Sequence, residues 1–184
     1  GVTVDEQYGG SGMDATAAVI AHEELAASDP AFCLSFLAHS MLFVNNLARN
    51  GNHEQKMKYL PGSCDGSLIG GMCMSEPGAG TDVMGMGTTA KLSADGKSYI
   101  LNGNKMWITN GTVDGETTGD IFLVYAKTGT GRGMGDITSF LVEKGTKGFT
   151  LGQQIKDKCG MHASCTAELV FDNVRAELIS TDAD

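Results

Sequence analysis

Positive charge is scarce in this sequence of 184 residues: Lys and Arg number 13 against 22 Asp and Glu, a formal net charge of −9. A nucleic-acid surface needs clustered Lys and Arg, and no basic stripe occurs, so that class of function is set aside. No Cys-x-x-Cys is present, and none of Cys33, Cys64, Cys73, Cys159 and Cys165 has a His at metal-ligand spacing. The expectation is no metal, and reduced structural thiols in a reducing compartment. No signal or transit segment opens the chain. Gly1-Val2-Thr3-Val4 reads as the middle of something, which suggests a processed or incomplete chain. Without a signal peptide, the sequon Asn110-Gly111-Thr112 reads as coincidence. Internal repeats are absent. The loop Gly129–Gly135 misses the Gly-x-Gly-x-x-Gly register and follows no βα pattern, so it is no dinucleotide fingerprint. What remains is ordinary for a soluble protein, 41% hydrophobic and 19% charged, with length for one or two small domains and a real core.

The first third of the chain has helical punctuation. Asp14 is an N-cap for a helix over residues 15–27, ended by Ser28-Asp29-Pro30. Pro30 suits the first turn of a second helix, Ala31 to Arg49, with Gly51 just past its end. Asn52 and Gln55 form a capping-box pattern for a third helix, expected to stop before Pro61. The second helix is apolar on nearly every face, but Ser35, His39, Ser40, Asn45 and Asn46 argue against a membrane span. Such a helix asks for partners on all sides, more than this sequence supplies.

From Leu68 the pattern changes to short β segments, with the boundary near Pro61–Ser67. Asp95-Gly96 and Asn102-Gly103 read as hairpin turns, and further strands are expected at 121–127, 137–144, 149–155 and 167–172. The fold class is therefore α+β: amino-terminal α-helices (1–66), an antiparallel β-barrel-like domain (67–176) and a tail (177–184) without assignment.

Two stretches carry the chemistry. The first is Met72, Cys73, Met74, Ser75, Glu76, Pro77, Gly78, Ala79, Gly80, Thr81 and Asp82, an apolar run ending in hydroxyls, a Pro turn and glycines. Pro77 fixes φ while Gly78 and Gly80 permit left-handed angles, so the loop can turn several main-chain N–H groups toward one electron-rich ligand edge. The second is Tyr99 to Gly111, read as two short strands joined at Asn102-Gly103, with the only tryptophan, Trp107, followed by Ile108 and Thr109. Taken singly, the Trp is an ordinary core residue and the Pro-Gly segment an ordinary turn.

Together the two motifs, at this spacing, resemble the acyl-CoA dehydrogenase family, and within it the isovaleryl branch. The resemblance covers almost the whole chain, including Arg49–Lys56, Ser139–Gly145 and Asp157–Met161; it departs at the polar stretch Val113–Gly119 and past Val174. It implies FAD held by Met72 to Thr81 and by Trp107, Ile108 and Thr109, with Trp107 against the flavin ring. Thr109 would donate to flavin N5 when oxidised and accept from it when reduced. Thr81 stands where the family usually has Ser and is expected to touch substrate. Leu34 and Ala38, four residues apart on one helix face, are expected to bound the acyl pocket.

The implied reaction is α,β-dehydrogenation of a short branched acyl-CoA, with electrons passed to an electron-transferring flavoprotein. An acyl-CoA oxidase and a flavin-free scaffold subunit are the alternatives. The family's base and its carboxy-terminal helical domain are expected outside this chain, so no catalytic residue is assigned and the segment alone is expected to be inactive. Glu23, Glu24 and His39 have no spacing argument as a base. A homotetramer is implied, in the mitochondrial matrix of a eukaryote or the cytoplasm of a bacterium.

Overall fold

Asp14 does begin the first helix. Its Oδ1 accepts from the Ala17 N–H at 3.0 Å, and α1 runs Ala15–Ser28. The computed structural model of the chain describes residues 1–180. Asp29 then caps the next helix with bonds from Ala31 and Phe32 N–H at 2.9 and 3.0 Å, and Pro30 occupies its first turn. The long helix Pro30–Asn50 has three parts: α2 (Pro30–Leu37), a π-helical stretch (Ala38–Val44) and α3 (Asn45–Asn50). The wider turn was not expected from the sequence; π-helical turns are frequent at functional sites.

Helix α4 (His53–Asp65) starts with the expected capping box and does not stop before Pro61. It runs through the proline to Gly66, whose φ of 84° gives the left-handed cap. Buried Tyr59, Leu60 and Ser63 hold the helix together around Pro61, so packing outweighs the missing N–H bond. Side chains then stitch α4 to the β domain: Lys58 Nζ and Tyr59 Oη reach Glu143 Oε1 at 2.6 and 2.7 Å, and Gln55 Nε2 reaches Glu177 Oε1 and the Leu178 carbonyl, each at 2.8 Å.

The β domain contains β1 (Gly70–Cys73), β2 (Thr89–Leu92), β3 (Tyr99–Thr109), β4 (Ile121–Lys127), β5 (Ile137–Glu143), β6 (Phe149–Ile155) and β7 (Thr166–Leu178). Strands β4, β2, β3, β7 and β5 pair in a ring, since β5 pairs back to β4; β1 adds to β4 and β6 to β7. The sheet is not wholly antiparallel: β1 lies parallel to β4, because β2 and β3 intervene in the chain between them. Two hydrophobic clusters result. Phe122, Phe140, Phe149 and Phe171 fill the ring interior, while Ile121, Leu123 and Leu141 face the helical residues Phe43, Val44, Leu47 and Leu60. Strand β4 is thus apolar on both faces because it is covered on both.

Asp95-Gly96 does lie in the β2–β3 connection, with the Gly96 N–H bonded to the Ser93 carbonyl at 2.9 Å. Asn102-Gly103 is not a turn. It lies inside the single eleven-residue strand β3, opposite an extra residue in β7 where Asn173 has φ 53°. Gly103 serves close approach: a Cβ there would stand 2.5 Å from Thr88 Oγ1. Strand β7 also extends beyond the expected 167–172, and of the unassigned tail, residues 181–184 lie outside the described residues.

Candidate functional site

Trp107 owes its position to a fault in the ladder. Lys105 pairs with Leu169 and Ile108 with Ala167, so β3 carries one residue more than β7 here. Period two from the buried Leu101 and Lys105 would send Trp107 inward. The bulge, with Trp107 at φ 60°, turns it out to 51% exposure. A tryptophan in the left-handed region is strained, and such residues gather at functional sites.

A cleft of about 140 Å³ opens beside it. Met72, Met74 and Ser75 line it from the first motif, Trp107, Ile108 and Thr109 from the second, and Ala38 and Leu42 from the π-helical stretch. The two motifs are joined directly: the Met106 N–H donates to the Ser75 carbonyl at 2.9 Å. The helix is held against them by two polar anchors. Asn110 Nδ2 donates to the Ser35 and Gly70 carbonyls at 3.0 and 3.2 Å, so the sequon asparagine is buried and occupied. His39 accepts from the Gly70 N–H at Nδ1 (3.0 Å) and reaches the Ser63 carbonyl through Nε2 (2.9 Å). Burial pulls its pKa below the usual 6.5, so the neutral ring is favoured. His39 thus serves as a structural post between the helix, Gly70 and Ser63.

The loop after β1 is tightened by reciprocal Glu76–Ala79 main-chain bonds of 3.0 and 3.1 Å. Pro77, Gly78, Gly80 and Thr81 are exposed, whereas Glu76 and Ala79 are buried and Cys73 is fully enclosed, its thiol pushed well up by burial. The Glu76 carboxylate points into the protein. It accepts from Lys105 Nζ (2.8 Å), Gly87 N–H (2.6 Å) and Thr88 N–H (3.0 Å). Burial pushes this carboxyl up, but those donors outweigh it and hold the group below its usual value; burial likewise lowers the Lys105 ammonium against the pull of Glu76. Leu34 sits one turn before Ala38, 37% exposed, and neither it nor Thr81 lines the cleft.

Four features escaped the sequence reading. Lys105 is a wholly buried ammonium; its place two residues from Trp107 and in phase with Leu101 was the available signal. Leu42 lines the cleft where Leu34 was expected to bound it. A polar pocket of about 300 Å³ also begins at Thr166, the ladder partner of Thr109. Lys158 Nζ bonds Thr166 Oγ1 and the Ser164 carbonyl there, and Ser164 Oγ is buried without a partner among the described residues. A second, methionine-lined cleft of about 410 Å³ meets the first at Met74 and includes Met84, Met86 and Met134. Among the described residues no group of His, Cys, Asp and Glu could hold a metal, and all five cysteines are free.

A helical layer thus packs on a closed β ring in an α+β arrangement, with a tryptophan and a threonine lining a cleft at their junction. Residues 1–67 match the acyl-CoA dehydrogenase N-terminal domain and residues 71–174 the middle domain of the same family. The chain belongs to the acyl-CoA dehydrogenase family. It is 47% identical over 173 residues to the mitochondrial isovaleryl-CoA dehydrogenase of Solanum tuberosum, covering 94% of this chain and 40% of that protein. Butyryl-CoA dehydrogenase from Megasphaera elsdenii superposes with a TM-score of 0.89 at 38% identity, over 98% of this chain and 47% of the other. An acyl-CoA dehydrogenase complexed with FAD from Bacillus anthracis gives 0.85 at 33% identity, over 98% and 29%. The chain thus spans less than half the length of each.

Proposed function

We propose that this chain forms the flavin wall of an FAD-dependent acyl-CoA dehydrogenase acting on a short branched acyl-CoA of the isovaleryl type. One observation carries the reading: the bulge turns Trp107 outward beside Thr109 and Ser75, in a cleft that Ala38 and Leu42 of the helix also line. A flavin ring needs a flat apolar surface with a few donors at its edge, and Trp107, Met72 and Met74 with the Ser75 and Thr109 hydroxyls fit that need. The orphaned Ser164 hydroxyl and the Lys158 ammonium fit the diphosphate tail of FAD, one ladder step from Thr109. FAD bound there would supply hydride acceptance at N5.

The chain's own residues then have separable tasks. Trp107 and Ile108 would lie against the ring and exclude water. Thr109 would offer a bound flavin a hydrogen bond in either redox state, because its hydroxyl both donates and accepts. Ala38 is small beside the cleft and leaves room for a methyl branch, and the methionine-lined cleft that meets it at Met74 offers an apolar channel for the thioester's carrier arm. No carboxylate lines the cleft, and Glu76 is committed to Lys105, so this reading assigns the base to none of the described residues. By the same reading the protein works as a homotetramer and passes electrons to an electron-transferring flavoprotein, in the matrix of a mitochondrion or in a bacterial cytoplasm.

The test is spectroscopic. The natural full-length protein should be yellow, and isovaleryl-CoA added without air should bleach the flavin bands faster than a straight-chain thioester does. A colourless protein that takes up no FAD refutes the reading. Reoxidation of the reduced protein by air within its turnover time would make it an oxidase instead.

A further inference from the structure

Three separate segments converge on one buried ammonium. Lys105 Nζ, wholly enclosed, donates to the Met74 carbonyl at 3.0 Å and to Glu76 Oε1 at 2.8 Å, and lies 3.6 Å from Met86 Sδ. Glu76 in turn takes the Gly87 and Thr88 N–H groups. The ammonium therefore ties the strand that carries Trp107 and Thr109 to the loop that carries Met74 to Thr81, and ties that loop to the segment entering β2.

The chemistry makes this an unusual choice. Removing both charges from water has a large desolvation cost, and an apolar filling of similar volume is commonly as stable or more so. What an ion pair adds over such a filling is direction. An ammonium bonded to a carbonyl and a carboxylate fixes where both lie, and leucine or methionine would fix neither. The fixed atoms here are neighbours of the cleft: Met74 and Ser75 line it, Ser75 accepts from the Met106 N–H, and the strained Trp107 follows next.

We propose that Lys105 and Glu76 are positioning residues, a buried clamp that holds the two cofactor motifs in register and keeps the Trp107 bulge turned outward. The proposal rests on the flavin reading for its consequence but not for its geometry. Without the clamp, the loop from Ser75 to Thr81 and the bulge at Met106–Trp107 lose their shared anchor and sample other arrangements.

The test uses the natural full-length protein and a double variant, Lys105→Met with Glu76→Gln. Methionine keeps the length of the side chain, and no buried charge is left alone; the one amide oxygen of glutamine keeps an acceptor for either the Gly87 or the Thr88 N–H, which bond different carboxylate oxygens in the parent. Hydrogen exchange at Ser75–Thr81 and Met106–Thr109 is measured without ligand, with thermal midpoint and FAD affinity in parallel. The expected result is a midpoint at or above that of the parent, exchange in both segments faster by about tenfold, and FAD binding weaker by about tenfold, the size of one lost charge-assisted bond. Glu76→Gln alone leaves the buried Lys105 ammonium without its counter-charge, so it should lower the thermal midpoint below that of the double variant while also raising exchange in both segments. Parental exchange rates in both variants overturn the clamp. So does global unfolding of the double variant, since the pair would then support the whole fold and not one wall. If the parent binds no FAD, the flavin reading falls while the exchange data still decide the clamp.

Discussion

Asn110 is where the site can be disturbed without touching its chemistry. It follows Thr109, sits at φ 62°, and spends its amide on the Ser35 carbonyl of α2 and the Gly70 carbonyl of β1. One side chain therefore joins the end of the cleft-lining strand to the helix and to the start of the strand that leads into the first motif. Asn110→Ala removes both bonds, at about 1 kcal/mol net for each, and places a Cβ residue without a local hydrogen bond in the left-handed region, at about 1 kcal/mol more. The sum is about 3 kcal/mol. Asn110→Gly loses the same bonds but escapes the backbone penalty, so about 2 kcal/mol is expected. Asn110→Asp keeps the shape and sets a carboxylate against two carbonyl oxygens, so it should be the worst of the three above pH 5. Thermal unfolding of the natural protein at fixed concentration measures the order, with a midpoint drop of about 2–4 °C per kcal/mol for a domain of this size. Parent, then Gly, then Ala, then Asp is the predicted ranking. An aspartate variant as stable as the parent would refute the assigned donors, and alanine above glycine would refute the backbone term.

Further outcomes concern pH, redox and substrate. His39 has its folded pKa lowered by burial, so the unfolded chain binds more protons and stability rises with pH; the contribution is complete above about 6.5 and is lost as pH falls through the folded value. The slope of thermal midpoint against pH below 6.5 should flatten in His39→Gln, and an unchanged slope would locate that titration elsewhere. Thr109→Val keeps the shape and removes the hydroxyl, and rapid mixing should show flavin reduction slowed by about tenfold, near 1.4 kcal/mol; parental kinetics with a parental spectrum would deny it the N5 role. Ala38→Leu should reduce kcat/KM for isovaleryl-CoA more than for butyryl-CoA, by about 1–3 kcal/mol of discrimination, and equal losses would mean the helix does not set the choice.

The difference between what could and could not be read from the sequence follows from the range of the forces involved. Asp14, Asp29-Pro30 and the Asn52–Gln55 box act within three or four residues, so the starts of the helices were readable. Pro61 misled because the burial of Tyr59, Leu60 and Ser63 that carries α4 past it comes from partners outside the helix, from Phe43 and Leu47 before it to Glu143 in β5. The strands at 121–127, 137–143 and 149–155 were readable from their apolar content, yet the parallel pairing of β1 with β4 was not, since nothing local records a partner. Asn102-Gly103 shows the sharper limit. The same dipeptide that makes a tight turn also admits a close strand neighbour, and only Thr88, fourteen residues before Asn102, decides between them. The site itself divides in the same way. Its two motifs could be recognised as patterns, but their meeting depends on one inserted residue in β3, without which period two sends Trp107 into the core beside Lys105. A lysine in phase with buried Leu101 is the trace such an arrangement leaves in a sequence, because an inward charge in a strand requires a counter-charge at the same depth. Glu76, in the loop that reads as a simple turn, is that counter-charge.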